Sequence, residues 1–395
     1  MDEWVNDVKI RTVTGKPPVR GGRSKKLDAV GFDDLVFLPA QLAARPVDYF
    51  REKIRAETVI GANAKRPLRL GTPIMVAAMS FGALSPEAKI ALAKASRIAG
   101  TCTNTGEGGM LPEERENAEK LIVQYSTGRF GVSDAYLEAS DAVEIKIGQG
   151  AKPGQGGLLP AEKVTQQIAE IRGVPIGKAV HSPAAHPDIR NVEELGERVE
   201  LLREKTGGKP IIIKLGAGRV AEDVALAVGA APDAIAIDGL AGGTGAAPMV
   251  MLDSFGIPTI PAIVQARKTL DELGAKQELL AGGGINTGID AAKALALGAD
   301  AVFMGFPTLV AMGCVYCKQC HAGRCPVGIT TQDETLRKKL PDDAAEKAAR
   351  FIAACTEEIK MAAGAAGKDD VHRLSRDDLR SLSLLMREVS GVRLV

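Results

Sequence analysis

The sequence is poor in aromatic residues and carries almost no net charge. Phe, Tyr and Trp make up 4% of its 395 residues, with a single Trp, while glycine occurs 44 times. This balance favours close packing of helices on strands and backbone contacts to a ligand, rather than surfaces that stack aromatic rings on bases. The formal net charge of +1 does not indicate a nucleic-acid-binding protein, which needs an excess of Lys and Arg.

Long apolar runs are also missing. No stretch reaches the roughly 20 residues of a transmembrane helix. The start, MDEWVNDVKI, has no basic segment followed by an apolar one, as a signal peptide would. We therefore expect a cytoplasmic protein without membrane contacts. Only six cysteines occur, and the four within residues 314–325 indicate metal ligands rather than disulfides in that reducing compartment.

Short apolar runs alternate with amphipathic helical stretches from about residue 73 onwards. Runs of strand length that are buried on both sides and separated by helices indicate a parallel sheet with helical crossovers. These runs are PIMVAAMS, TCTNTG, AVEIKIGQGA, KPIIIKLGAG, DAIAIDGL, QELLAGGG and DAVFMGF. The number of βα units is close to eight over about 240 residues, which predicts an α/β protein with a (β/α)8 TIM barrel. An open doubly wound sheet is the competing fold.

Segments at both ends of the chain flank the barrel. We expect an N-terminal extension over residues 1–70, the barrel over 71–335 and a C-terminal helical extension over 336–395. Residues 1–30, rich in Lys, Arg, Gly and Pro, predict an extended arm, either packed over the domain or exposed as a docking strip for an acidic electron donor. Apolar spacing predicts two C-terminal helices, the second with Ser375 as its N-cap.

Glycines follow the last two predicted strands. Gly282, Gly283 and Gly284 end one strand, and Met304 and Gly305 end the next. The loops after strands seven and eight of βα barrels commonly form a phosphate site, and glycine lets backbone N–H groups approach phosphate oxygens closely. The pattern predicts a phosphorylated cofactor or substrate, with tight helix–strand packing as the alternative.

Lysines interrupt two apolar strands. Because a buried unpaired ammonium is costly, Lys214 is expected to point from its strand end at an anion, unless it forms a structural ion pair. The same two alternatives apply to Lys146. Gln149 and Lys152 lie in the adjacent loop GQGAKPGQGG, which is suited to surround an anionic ligand.

Several motifs occur in the same order in the FMN-binding synthase domain of glutamate synthase, which this sequence resembles over residues 72–335. They are MSFGALSPEA, TNTGEGG, GRFGV, GQGAKPGQGG, SPAAHPDI, GGTGAAP and the cysteine stretch ending in CPVGI. The resemblance implies an oxidoreductase that holds FMN at the C-terminal ends of its barrel strands. It also implies formation of L-glutamate from 2-oxoglutarate and ammonia through 2-iminoglutarate, which takes a hydride from reduced FMN.

The resemblance also implies roles for individual residues. Glu107 would lie where ammonia enters, and a turn carboxylate bound to backbone is the alternative. Lys146 and Lys152 would bind the two carboxylates of 2-oxoglutarate, with Arg129 as a third candidate. The residues expected to contact the flavin are Met79, Ser80, Asn104, Gln149, Lys214, Gly243, Thr244, Gly282, Gly283, Gly284, Met304 and Gly305.

The family carries a [3Fe–4S] cluster on a C-x5-C-x4-C pattern. Here the pattern falls on Cys314, Cys320 and Cys325. Cys317 lies inside it, so a [4Fe–4S] cluster is also open, although we favour [3Fe–4S] with a spare thiol. A structural zinc is the alternative, but zinc usually takes its thiolates as two pairs on separate turns.

Partners follow from what the family needs. Glutamate synthases make ammonia in an amidotransferase domain for which this sequence has no room, so we expect a separate amidotransferase subunit or free ammonia. Electrons would come through the cluster from a ferredoxin or an NAD(P)H-oxidising subunit, and an oligomer is expected. The alternatives are an N-methylglutamate synthase that uses methylamine, another FMN barrel such as type 2 isopentenyl diphosphate isomerase or a hydroxyacid oxidase, and an inactive electron-transfer subunit.

Overall fold

Eight parallel strands form a barrel in chain order. The computed structural model of the protein describes residues 3–24 and 30–395. The barrel strands, β1 to β8, are Ile74–Val76, Cys102–Asn104, Lys120–Tyr125, Ala142–Lys146, Ile211–Gly216, Ala234–Asp238, Glu278–Gly282 and Ala301–Met304. Neighbours pair in parallel from β2 through β8, and β8 pairs with β1. The predicted (β/α)8 barrel is therefore confirmed, and the open sheet is excluded.

Between β1 and β2 the barrel has a seam, because no ladder of hydrogen bonds joins these two strands in the described chain. Lys89 bridges the upper end of this seam. Its Nζ donates to the carbonyl of Met79 at 2.6 Å and to that of Asn104 at 3.0 Å, and lies 2.8 Å from the Glu114 carboxylate. Both side chains of this ion pair are at most 1% exposed, so a buried cation fixes the two strand ends that face the site described below.

Helices surround the barrel. The α-helices, α1 to α14, are Glu3–Thr14, Pro86–Ile98, Pro112–Asn117, Asp134–Glu138, Gln166–Arg172, Val192–Lys205, Val220–Gly229, Met249–Ser254, Thr259–Glu272, Gly288–Ala296, Phe306–Ala311, Glu334–Arg337, Ala344–Ala365 and Leu384–Ser390. Thr287 begins α10: its Oγ1 accepts from Asp290 N at 3.2 Å, and the Asp290 carboxylate accepts from Thr287 N at 3.2 Å. This capping box starts the helix directly after the predicted glycine loop.

A hairpin closes the N-terminal end of the barrel. Strands Thr58–Ile60 and Leu68–Leu70 pair antiparallel, and their buried Ile60 and Leu68 share an apolar cluster with barrel residues such as Ile212. Because this end is filled by apolar side chains, a ligand cleft has to open at the C-terminal ends of the strands.

The C-terminal extension is only partly helical. Helix α13 packs on α2 and α10, as predicted. The second predicted helix is wrong over its first half, because Ser375 begins a single 3-10 turn that the Asp378 carboxylate closes by accepting from Ser375 N at 2.8 Å. The strand Leu379–Ser381 follows and pairs with Leu35–Phe37, which leaves α14 as a shorter helix.

The predicted N-terminal arm also differs from expectation. Residues 3–14 form helix α1 instead of an extended chain, and Val19–Gly22 forms a strand that pairs antiparallel with Thr244–Pro248. The remaining parts of the predicted arm, residues 1–2 and 25–29, lie outside the described residues. The division at residues 70 and 335 stays a prediction.

Across residues 3–24 and 30–395, no helix is both long enough and apolar enough to span a bilayer.

Candidate active site

A deep cleft opens at the C-terminal ends of the barrel strands. It encloses about 1480 Å³, including its open mouth. The loops after most barrel strands line it, and so does the arm through Arg23. Thirteen of the residues predicted for the site line this cleft: Met79, Ser80, Glu107, Lys146, Gln149, Lys152, Lys214, Gly243, Thr244, Gly283, Gly284, Gly305 and Cys320.

Glu107 and Lys146 form an ion pair inside the cleft. Lys146 ends β4, and its Nζ donates to Glu107 Oε2 at 2.9 Å. Burial opposes ionisation of the Glu107 carboxyl, but the Lys146 charge, with the hydroxyls of Ser182 and Ser126 nearby, lowers its pKa to about 2. The other carboxylate oxygen, Oε1, is buried and accepts no hydrogen bond from the described chain. Glu107 is therefore an ionised carboxylate with one oxygen available to a ligand.

Lys152 is a second buried cation. Its side chain is almost inaccessible, and its Nζ donates to the carbonyl of Ala246 at 3.0 Å. Burial, and then the charge of Lys146, lower the Lys152 pKa to about 8. This lysine can therefore change charge close to neutral pH.

Lys214 lies two residues before the end of β5, and the sequence predicted that it either points at an anion or forms a structural ion pair. Its Nζ is 3.5 Å from the Asp238 carboxylate and 4.5 Å from the centroid of the Phe303 ring. Burial works against its charge, but Asp238 and Glu144 outweigh burial and raise the Lys214 pKa. The side chain thus forms an ion pair and also lines the cleft.

The glycine loop after β7 brings its backbone against the cleft. Gly283 has φ of +100° and Gly284 has φ of +79°, a region that other residues adopt only with strain. A Cβ on Gly283 would lie 2.7 Å from the carbonyl oxygen of Gly239, and a Cβ on Gly284 would lie 2.5 Å from the Cβ of Ala241. Both positions therefore require glycine, and the loop offers an open backbone cradle.

Three predicted flavin contacts do not line the cleft. Asn104 is buried in the barrel, where its Nδ2 donates to Glu144 Oε1 at 3.2 Å. The Gly282 carbonyl accepts from Gly239 N at 3.0 Å, and a Cβ there would strike the Phe303 ring. Met304 is fully buried in the apolar core. These residues shape the walls and floor behind the cleft.

Arg129 also lies outside the cleft. Its Nη1 contacts His186 Nδ1 at 2.5 Å, and its Nη2 contacts the Asp188 carboxylate at 2.5 Å. The guanidinium carbon lies 3.8 Å from the centroid of the Tyr125 ring. The structure therefore does not bring Arg129 to the carboxylate-binding position predicted for it.

Two buried cations were missed from the sequence. Arg172, at the end of α5, lines the cleft, donates through Nη2 to the carbonyl of Phe81 at 2.5 Å, and leaves Nε without a hydrogen-bond partner in the described chain. Lys163 lines the cleft and donates to the carbonyl of Thr330 at 2.8 Å. Neither residue belongs to a polar motif, so only the fold reveals where they point.

The four clustered cysteines surround a small cavity beside the cleft. Cys314, Cys317, Cys320 and Cys325 all line this cavity. Cys320 lines the cleft as well, so the two spaces are adjacent. Burial alone would raise the pKa of the Cys325 thiol, but hydrogen bonds from neighbouring backbone N–H groups outweigh it and lower that pKa.

These thiols do not converge on one point. Within the described ranges, no three His, Cys, Asp or Glu side chains are placed to hold a single metal ion. A zinc ion needs four ligands at about 2.0–2.3 Å from one centre, whereas the thiolates of an iron–sulfur cluster bind different irons.

The family comparison is specific. The model of the family described as "Conserved region in glutamate synthase" matches residues 34–369. A "Glutamate synthase large subunit-like protein" of Rhizobium meliloti is 40% identical, over 97% of this chain and 91% of that protein. An "Archaeal glutamate synthase [NADPH]" of Methanocaldococcus jannaschii is also 40% identical, over 97% of this chain and 82% of that protein.

The structural comparison shows the fold. A crystal structure of mandelate oxidase superposes with a TM-score of 0.56, covering 90% of this chain and 93% of that one, at 18% identity. At that identity the similarity establishes the barrel architecture alone.

Proposed function

The chain belongs to the glutamate synthase family, and we propose that it reductively aminates 2-oxoglutarate to L-glutamate with FMN and an iron–sulfur cluster. Relatives are named glutamate synthase [NADPH], and the chain is an oxidoreductase of this family. The observation that carries the proposal is the buried Glu107–Lys146 pair at 2.9 Å. It lies in a cleft that four more buried cations also line: Lys152, Lys163, Arg172 and Lys214.

The buried cations of the cleft are suited to bind a dicarboxylate substrate. 2-Oxoglutarate carries two negative charges, and charge-assisted hydrogen bonds hold carboxylates best where water is excluded. Lys152 and Arg172 are both buried and both line the cleft. The unpartnered Nε of Arg172 is a donor ready for a carboxylate oxygen. We assign the two carboxylates of 2-oxoglutarate to Lys152 and Arg172, while Lys146 stays paired with Glu107.

Glu107 is suited to bind the amine substrate. Its pKa of about 2 keeps it ionised at working pH, so it attracts ammonium and can orient the nitrogen through the free Oε1. Imine formation releases the keto oxygen as water and needs a proton for it. Ammonium has to lose a proton before its nitrogen can attack the keto carbon. Lys152, with a pKa of about 8, can accept that proton in its neutral form and return it to the departing oxygen, as a general acid–base group with a pKa near the working pH does.

The cleft also fits the flavin. Gly283, Gly284 and Gly305 offer backbone N–H groups to its phosphate, while Met79 and Ser80 line the same space. Lys214 can stabilise negative charge on the reduced ring. When bound, FMN supplies the hydride that converts the imine carbon to the amino acid.

The cavity lined by the four clustered cysteines is the proposed point at which electrons enter. Cys314, Cys320 and Cys325 are its proposed cluster ligands, and Cys317 is the spare thiol. Because the cavity adjoins the cleft through Cys320, electrons from a ferredoxin or an NAD(P)H-oxidising subunit would reach the flavin over a short path. A separate amidotransferase subunit, an oligomeric assembly and a cytoplasmic location belong to the same proposal.

An anaerobic single turnover tests the reaction. The chemically reduced protein receives 2-oxoglutarate with equal ammonium and methylamine, and mass spectrometry identifies the product. Glutamate with flavin reoxidation is expected, whereas N-methylglutamate would assign methylamine as the amine. No product from protein that holds FMN would overturn the proposal and favour an isomerase-like barrel or an electron-transfer subunit.

Variants separate the catalytic carboxylate from general damage. Glu107→Gln removes the charge that holds the amine and should abolish turnover while flavin stays bound. Glu113→Gln removes an exposed carboxylate on the nearby helix α3 and should leave turnover unchanged.

A further inference from the structure

The glycine loops that would hold the cofactor phosphate contain no basic residue. Residues 239–248, 281–289 and 304–309 include neither Lys nor Arg. A flavin phosphate carries close to two negative charges at neutral pH, and backbone N–H groups offset only part of such a charge. A cation from elsewhere in the chain would offset the remaining charge at this end of the cleft.

Arg23 of the N-terminal arm provides one. Its side chain lines the cleft, and its Nη1 lies 3.4 Å from Asn286 Oδ1, two residues after Gly284. Four of the other cations that line the cleft within the described ranges have their partners outside these loops: Lys146 at Glu107, Lys163 at Thr330, Arg172 at Phe81 and Lys214 at Asp238. The fifth, Lys152, donates to the carbonyl of Ala246 in the first loop, and the proposed function assigns it to a carboxylate of the substrate.

The arm is held firmly enough to position this side chain. The strand Val19–Gly22 pairs with Thr244–Pro248, a segment that itself lines the cleft. Arg20 Nη2 contacts Asp253 Oδ1 at 2.8 Å and donates to the carbonyl of Arg23 at 3.2 Å. Gly21 N–H donates to His321 Nδ1 at 3.2 Å, and Gly21 packs against Cys320.

We propose that Arg23 binds the phosphate of the flavin, so that the N-terminal arm is part of the cofactor site. This inference rests on the proposed function, because it takes the cleft as the FMN site. Its guanidinium supplies the charge that the glycine loops lack, in a fork geometry that suits phosphate oxygens. The same arm touches the cysteine loop, so it joins the phosphate end of the cleft to the proposed cluster.

The test compares two flavins that differ only in the phosphate. Full-length protein, stripped of flavin, is titrated with FMN and with riboflavin, and the quenching of flavin fluorescence gives each dissociation constant. Three proteins are compared: the wild type, Arg23→Ala and Lys16→Ala. Lys16 is exposed on the same arm, so its replacement removes the same charge without touching the cleft.

Arg23→Ala should weaken FMN binding by about 10- to 100-fold, as expected for a lost hydrogen bond between charged groups. Riboflavin binding should be unchanged, and Lys16→Ala should match the wild type for both ligands. Arg23→Lys, which keeps the charge but loses the fork, should fall between.

Other outcomes would overturn the inference. Equal FMN affinity in Arg23→Ala and the wild type would remove the phosphate role while leaving the proposed function standing. An equal loss for FMN and riboflavin would show that Arg23 only shapes the cleft. Failure of the wild type to bind FMN at all would remove the flavin from the proposed function, and the phosphate role with it.

Discussion

The imidazole of His186 holds the strand end that carries Lys146. Its Nε2 lies 2.8 Å from the carbonyl oxygen of Lys146, and its Nδ1 lies 2.5 Å from Nη1 of Arg129. Since a guanidinium only donates, Nδ1 must accept, and Nε2 carries the proton. Arg129 thus fixes the neutral tautomer of His186, and His186 fixes the backbone from which Lys146 reaches Glu107.

This arrangement predicts a loss of stability in mild acid. Burial, helped by the charge of Arg129, lowers the His186 pKa from 6.5 to about 4. Below pH 6.5, His186 becomes protonated in the unfolded chain but stays neutral in the folded chain until the pH approaches 4. The stability contribution is therefore present above pH 6.5 and is lost as pH falls towards 4, by up to about 3 kcal/mol. Thermal unfolding measured between pH 7 and pH 4.5 checks it.

A matched pair of variants isolates this histidine from the many carboxylates that also titrate in acid. His186→Phe keeps the ring but cannot take a proton, so its melting temperature should fall less steeply with pH than that of the wild type. His181→Phe alters an exposed histidine and should keep the wild-type slope. Identical slopes for all three proteins would contradict the assignment.

Lys152 predicts an alkaline limit to substrate binding. Burial, together with the charge of Lys146, lowers its pKa to about 8, so the cation that is proposed to bind a carboxylate is progressively lost above that pH. The KM for 2-oxoglutarate should rise about tenfold per pH unit above that point. Steady-state kinetics between about pH 6 and pH 10 measure this.

Lys152→Arg gives the corresponding control, because arginine stays charged over this range. The variant should bind 2-oxoglutarate with a KM that is flat to higher pH, even if its turnover is slower. An unchanged alkaline limb in this variant would assign the titration to another group.

The barrel could be predicted from the sequence because its signal is local. The apolar runs at Ile211–Gly216 and Ala234–Asp238 are strands as predicted, and the glycines at 283 and 284 do line the cleft. The strand Lys120–Tyr125 was not recognised because the helix before it has only six residues, too few to show helical periodicity.

The cations of the site were harder to predict because their positions depend on the fold. Arg172 ends an amphipathic helix, and nothing in its neighbourhood in sequence shows that it points into the cleft. Arg23 reaches the site because its strand pairs with residues more than two hundred positions later in the chain. Arg129 lies in a matching motif, yet it supports His186 instead of the substrate.

Breaking the buried Lys89–Glu114 ion pair at the barrel seam is expected to cause a large loss of stability. Lys89→Met would leave the Glu114 carboxylate buried without its cation, and the carbonyls of Met79 and Asn104 without their donor. Breaking a buried ion pair on one side costs about 3–5 kcal/mol. Urea unfolding should show this loss, whereas Lys94→Met, at an exposed position of the same helix, should stay within about 0.5 kcal/mol of the wild type.

The exposure of the four clustered cysteines predicts which thiols hold the proposed cluster. Cys317 is exposed, whereas Cys320 and Cys325 are buried and Cys314 is partly buried, so the three less exposed thiols are better placed to keep a cluster away from water. Cys317→Ser should retain iron and the electron paramagnetic resonance signal of an oxidised [3Fe–4S] cluster, while Cys320→Ser should lose both. A Cys317→Ser protein without iron would instead make all four thiols ligands and favour [4Fe–4S]. Cys320 is one of the three proposed ligands and lines both the cavity and the cleft. A Cys320→Ser protein that keeps its iron would therefore overturn the ligand assignment.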